Sequence, residues 1–400
     1  MTAGPLGFEV LARAAGGQAR LGRVTTPHGS FDTPAFMPVA TAAAMKGLTP
    51  AQVRGTGSQV ILNNAYHLML RPGSARIAAM GGSHRFMRWA GPILTDSGGY
   101  QAYSMSDTAE LDEDGVTFRS FVDGSRVHLG PESSMRVQNE IGADIIMAFD
   151  DCPPAAPHST ESDERRQARS RRVPDHGRRM EEAHERTLRW LARCVRAHAR
   201  PADQALFGIV QGGTDLDLRR RSAEATCQFD LPGYAIGGVA VGEGTDAIRQ
   251  VVEFTAPLLP SDRPRYLMGV GYERDLVMAV AAGVDMFDCV LPTRNGRNGN
   301  AFTRTGPVRL RNACHADDPR PIDETCDGEA CAGGFSRAYL RHLFMAEEML
   351  GPTLVSVHNI RHFQRLMLDI RTAIREDAWS ALALAWPCLG RRDDPQDTDQ

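Results

Sequence analysis

Three aspartates stand where a merely solvating carboxylate would be out of place. Asp288 lies inside the apolar run Met286-Phe287-Asp288-Cys289-Val290-Leu291, and a carboxylate removed from water is costly unless it is paired or used. Asp96 follows Ile93-Leu94-Thr95 and precedes Ser97-Gly98-Gly99, and Asp150, with Asp151 beside it, closes another apolar run. Each has a plain structural reading too. Asp288 could pair with an arginine such as Arg294, Asp96 could cap a turn, and one of the adjacent acids Asp150 and Asp151 could simply be solvated. Together they suit glycosidic chemistry, in which one carboxylate attacks an anomeric carbon and another moves protons on the leaving or entering group. Exchange of one N-linked base for another with retained stereochemistry needs two displacements and a covalent intermediate. The bond made resembles the bond broken, so no nucleotide hydrolysis is required. In keeping with that, the sequence has no GxxxxGKS/T phosphate loop and no dinucleotide-binding fingerprint.

The elements that must position these acids are short apolar runs at 35–40, 60–62, 93–95, 143–149, 205–210, 234–241, 265–270 and 286–291. Helical periodicity fills most of the gaps, for example over residues 180–198. Strands alternating with helices predict parallel βαβ units, and eight runs fit a closed (β/α)8 barrel better than an open sheet. The run ends carry Asn63-Asn64, Asp96, Asp150-Asp151-Cys152, Gln211-Gly212-Gly213, Gly242-Glu243, Gly269 and Thr293-Arg294. In such a barrel the strand C-termini share one catalytic face, so carboxylates, amides and glycines converge there. This predicts an enzyme.

The barrel is expected over residues 1–300, with a hairpin around Asp123-Gly124 inside an insertion at about 104–130 and an Arg-rich insertion at about 161–179. Residues 301–389 read as a cysteine-bearing helical subdomain packed on the barrel, and 390–400 as a disordered tail. The net charge of −4 leaves any polyanion site to a local patch. No apolar run approaches the roughly 20 residues that span a bilayer, and Met1 to Gly7 lacks the form of a secretion signal. A cytoplasmic protein is expected, its eight cysteines read as core, site or metal-binding residues rather than disulfides.

Four segments resemble the tRNA-guanine transglycosylase family: Thr95-Asp96-Ser97-Gly98-Gly99-Tyr100-Gln101, Gly208-Ile209-Val210-Gln211-Gly212, Gly237-Gly238-Val239-Ala240-Val241-Gly242-Glu243 and Phe287-Asp288-Cys289-Val290-Leu291-Pro292-Thr293-Arg294. The likeness runs from about Phe8 to about Arg371. It implies that Asp288 is the nucleophile on the ribose of the target guanosine and Asp96 the general acid/base. Asp150, Gln211 and the backbone at Gly238 and Val239 would read the base edge, Tyr100 and Met268 would cover its faces, and Arg294 and Arg297 would hold the anticodon loop. Cys152 and Val241 match the bacterial members, which insert the aminomethyl 7-deazaguanine preQ1 into tRNAs with GUN anticodons, those for Asp, Asn, His and Tyr.

The resemblance further implies a structural zinc held by Cys-x-Cys-x-x-Cys and a distant histidine. Here Cys326, Cys331 and His358 match, but Gly328 replaces the middle cysteine, and one extra residue separates Cys331 from Ser336. Cys314, Glu329, Asp327 or water would complete four ligands. Phe335, Tyr339 and His342 fall where similar enzymes form a homodimer. Other departures are Asn63-Asn64-Ala65 in place of Gly-Asn-Thr and Ala40 in place of glycine. The alternatives are a catalytically dead RNA-binding partner of the same fold, a base-exchange enzyme for DNA or another RNA position, and a zinc-dependent barrel hydrolase. Retention of Asp96 and Asp288 argues against the first. The arginines argue against the second, and the scarcity of histidines at strand ends against the third.

Overall fold

The structure is a computed structural model and describes residues 4–104, 109–154, 176–240 and 243–390. Residues 161–175 of the expected Arg-rich insertion, Val241, and residues 391–400 of the expected tail lie outside the described residues. Three antiparallel strands come first: β1 (Gly7–Arg13), β2 (Arg20–Thr26) and β3 (Gly29–Thr33). Then follow β4 (Ala35–Ala40), β5 (Ile61–Asn63) and β6 (Ile93–Thr95). A small antiparallel sheet, β7 (Glu110–Leu111), β8 (Val116–Arg119) and β9 (Arg126–Leu129), follows β6, with Asp123-Gly124 in the β8–β9 connection. The remaining strands are β10 (Ile145–Met147), β11 (Ala205–Val210), β12 (Gly233–Ile236), β13 (Arg265–Leu267) and β14 (Met286–Cys289).

Strands β4, β5, β6 and β10 to β14 pair in parallel and close, with Asp288 of β14 opposite Met37 of β4. This is the (β/α)8 barrel expected from the alternation. Closure follows from period-two burial. Ala35, Met37 and Val39 of β4 and Phe207 and Ile209 of β11 fill the interior, while Phe36, Leu206 and Val210 face the helical layer. Val24 and Phe31 of the N-terminal sheet join the interior cluster and stop that end of the barrel.

The helix that completes the outer ring is Leu350–Glu376. Phe363 stacks on Phe36 with ring centroids 4.9 Å apart, and Gln364 Nε2 donates to the Phe36 carbonyl at 2.9 Å. Ile360, Leu366, Met367 and Ile370 bury the same face in the barrel's outer core. The cysteine-bearing segment therefore lies between the last strand and its helix, and the region read in sequence as a separate subdomain lends its longest helix to the barrel itself.

Candidate active site

Asp96 is the first residue past β6. Its Oδ1 accepts from the Ala65 amide at 2.7 Å and its Oδ2 from Asn64 Nδ2 at 2.5 Å. Asn64 caps the helix Ala65–Leu70 through its own Oδ1, which accepts from the His67 amide. The cap thus fixes the amide that holds Asp96. Burial, joined by the charges of Asp288 and Asp150, pushes the Asp96 pKa up to about 7 against the pull of the Ala65 and Gly98 amides.

Asp150 ends the β10 segment, and Gln211 Nε2, just past β11, donates to its Oδ2 at 2.6 Å. Burial, with the neighbouring Asp151 charge, raises the Asp150 pKa to about 7. Asp151 is the structural member of the adjacent pair, since Arg179 and Arg186 both bind its carboxylate. Gly238, at φ 61°, lies against Gln211, where a Cβ would come within 2.2 Å of Oε1. Only glycine lets the β12 loop pass so close.

Asp288 is held on one side only. Tyr266 Oη donates to Oδ1 at 2.5 Å and the Gly269 amide donates to the same oxygen at 2.9 Å. Among the described residues nothing hydrogen-bonds Oδ2, and the expected alternative of an ion pair with Arg294 is not made. Burial raises the Asp288 pKa, with Tyr266 and Gly269 opposing it. Tyr266, buried beside that charge, is held well above the ordinary phenol value and stays a donor. A carboxylate with one oxygen anchored and the other left without a hydrogen bond can serve as a nucleophile. A second carboxyl that titrates near neutrality can give and take protons.

A family model for queuine tRNA-ribosyltransferase matches residues 15–386. The chain belongs to the queuine tRNA-ribosyltransferase family. A queuine tRNA-ribosyltransferase of Thermus thermophilus is 52% identical over 379 residues, covering 95% of this chain and 93% of that protein. One of Cyanothece sp. is 51% identical over 383 residues, covering 96% and 95%, and one of Synechococcus elongatus is 52% identical over 352 residues, covering 88% and 87%.

The remaining residues expected of this family fall as follows. Tyr100 is exposed at the start of the helix Gly99–Ser104, Met268 is half-buried at the end of β13, and Val239 is buried. Arg294 is exposed and Arg297 half-buried on the helix Leu291–Asn298, and neither makes an ion pair among the described residues. Burial and the nearby Arg294 charge lower the Arg297 pKa. Cys326, Cys331 and His358 converge, their ligand atoms all within 4.8 Å of one another. The Phe302 carbonyl lies 2.7 Å from His358 Nε2. A proton on Nε2 leaves Nδ1, 3.3 Å from Cys331 Sγ, free to bind a metal. Neither the exposed Cys314 nor Glu329 joins that group.

Three residues escaped the sequence reading. Tyr266 was visible in an apolar run and at the head of the family-like segment Tyr266-Leu267-Met268-Gly269-Val270-Gly271, but without a role of its own. Glu243, which accepts from the Ala240 amide at 2.6 Å, was signalled by its place at a strand end and at the close of a family-like segment, but given no role. Arg219 is fully buried and donates to the carbonyls of Gly213 (2.8 Å), Val210 (3.0 Å), Gly237 (2.7 Å) and Gly238 (3.0 Å). It ties together the loops bearing Gln211 and Gly238. In the run Arg219-Arg220-Arg221 nothing but helix phase, shared with Leu218, Ser222 and Ala223, separates it from its solvated neighbours.

Proposed function

We propose that this enzyme exchanges the wobble guanine of tRNAs with GUN anticodons, those for Asp, Asn, His and Tyr, for preQ1 by two displacements at the ribose. Asp288 Oδ2 attacks C1′ as the C1′–N9 bond breaks, and Asp96 gives its proton to the departing guanine. The incoming base then loses its N9 proton to Asp96 and attacks C1′, expelling Asp288. The single-sided anchoring of Asp288 carries this reading, because it leaves one carboxylate oxygen free for the sugar.

Asp150, Gln211 and the backbone at Gly238 and Val239 read the edge of the base, while Tyr100 and Met268 cover its faces. Arg294 and Arg297, cations without acidic partners among the described residues, hold the anticodon loop. Cys326, Cys331 and His358 fit a zinc ion, which when bound supplies only a structural crosslink. Phe335 stacks near Tyr339, which is 41% exposed, and that surface serves a homodimer. The setting is the cytoplasm; among the described residues no helix is long and apolar enough to cross a membrane.

The deciding experiment is incorporation of labelled guanine into a tRNA with a GUN anticodon, with and without Asp288→Ala. Incorporation that is abolished by the substitution and outcompeted by preQ1 is the expected result. Folded wild-type protein that incorporates nothing would refute the reading.

A further inference from the structure

We infer that the metal centre of this chain has only three protein ligands, and that its fourth position opens to solvent and accepts a small thiolate or anion. The inference rests on the zinc reading above. Closed structural zinc sites carry four protein ligands, and a site with three keeps a position for an outside ligand.

Among the described residues the converging donors stop at Cys326, Cys331 and His358. Gly328 adds no donor. Its amide donates to Cys326 Sγ at 3.4 Å, so the backbone folds around that sulfur without supplying a ligand. A Cβ at this position would lie 3.4 Å from Cys326 Sγ, so a side chain here would reach the cluster. None is present, and on this side there is a cavity of about 300 Å³ lined by Gly328, Glu329, Val357, Gln52, Thr56 and Arg361. It borders the cluster through Gly328, two residues from Cys326, and Val357, next to His358. At its wall the Arg361 guanidinium is held by both oxygens of Asp327, at 2.8 and 2.6 Å. The stem of Arg361 packs over Gly328, its Cγ 2.9 Å from where a Cβ would lie, so the cavity reaches the cluster past that flexible side chain, and the charge of the metal itself, with one position not filled by protein, selects a thiolate or small anion.

The test is made on the full-length protein, first by metal analysis and then after replacing zinc with Co²⁺. Azide and 2-mercaptoethanol are the probes. One zinc per chain is expected, and either probe should shift the visible Co²⁺ bands of the wild type. The closing variant is Gly328→Cys. Because its Cβ would lie 2.9 Å from Arg361 Cγ, it is made together with Arg361→Ala. That pair should gain about half again as much thiolate-to-metal absorption, from two sulfurs to three, and lose the response to both probes. Arg361→Ala alone should keep the response. A wild type that binds Co²⁺ but ignores both probes would overturn the inference and leave the zinc reading intact. A protein that binds neither metal would overturn both.

Discussion

The two ends of the barrel use aspartate in opposite ways. At the N-terminal end, Arg20 donates to both oxygens of Asp285, at 2.9 and 2.6 Å, and the Arg265 amide adds a third bond. Asp144, before β10, accepts from the Ile93 amide at 2.9 Å and lies 2.8 Å from His28 Nδ1 and 3.0 Å from His84 Nε2. Burial alone would raise the Asp144 pKa. The hydrogen bond and charge of His84, the hydrogen bond of His28 and the Ile93 amide outweigh it, leaving the group below the ordinary carboxylate value. At the mouth, Asp96, Asp150 and Asp288 are held by amides, a phenol and backbone N–H groups, with no cation paired to any of them among the described residues. Those contacts only partly offset desolvation, and the pKa values of all three rise; burial raises Asp285 as well, in spite of Arg20, so the difference between the ends lies in the paired cations. The acids at one end are tied to cations and serve stability; those at the other have none and, in the function proposed above, are the ones that act on substrate.

The largest expected contrast comes from exchanging the two roles. Asp288→Asn should lower base exchange by on the order of 10⁴-fold without lowering the urea midpoint at pH 7. Arg20→Met should do the reverse. Asp285 left buried and unpaired costs about 3–5 kcal/mol, read from urea unfolding, while turnover per folded molecule holds. Equal stability losses from both substitutions would break the distinction.

A smaller effect is expected between the ends of the contrast, at Arg219. Arg219→Met should raise KM for the base roughly tenfold, the equivalent of one hydrogen bond to a charged group, with a lesser change in kcat. Arg219→Lys should recover part of it. A loss confined to kcat would sink the idea that Arg219 sets the spacing of the base-reading loops.

A further test is a pair of pH profiles of stability. Asp150 has a folded pKa of about 7 against an ordinary value of 3.8, so the native state holds the extra proton and loses stability as pH climbs between those values. Asp150→Asn should therefore be the more stable protein at pH 8, by a few kcal/mol at about 1.4 kcal/mol per unit, and no different below pH ~4. Asp144, whose folded pKa is lowered, has the opposite sign. Its contribution is present above the ordinary carboxylate value and fades as pH falls through the folded one, so Asp144→Asn should destabilise at pH 7 and progressively less in acid. Parallel slopes for the two variants would contradict the assignment.

Most of the mouth was legible because barrel strands are short and each ends in a chemically distinct residue. The runs at 35–40, 93–95 and 205–210 coincide with β4, β6 and β11. The run at 234–241 overshoots β12, which stops at Ile236, because Gly238 and Ala240 take φ values of 61° and 59° and turn the chain out of the sheet. Val239 there is buried against the core but belongs to no strand. The N-terminal end was not legible. His28 and His84 lie 116 and 60 residues from Asp144, and Arg20 lies 265 from Asp285. Nothing local marks such pairs. The ring position of Leu350–Glu376 was hidden likewise, since its contact with β4 joins the two ends of the chain.

The plug formed by Val24 and Phe31 has a kinetic meaning. Among the described residues it joins an interior filled with apolar side chains, which leaves the mouth as the way in for the proposed substrates. Under the chemistry proposed above, departing guanine and arriving base must use the same doorway in turn, while the ribose waits on Asp288. Alternating passage is then a property of the architecture, and initial-rate plots against tRNA and incoming base should show ping-pong behaviour.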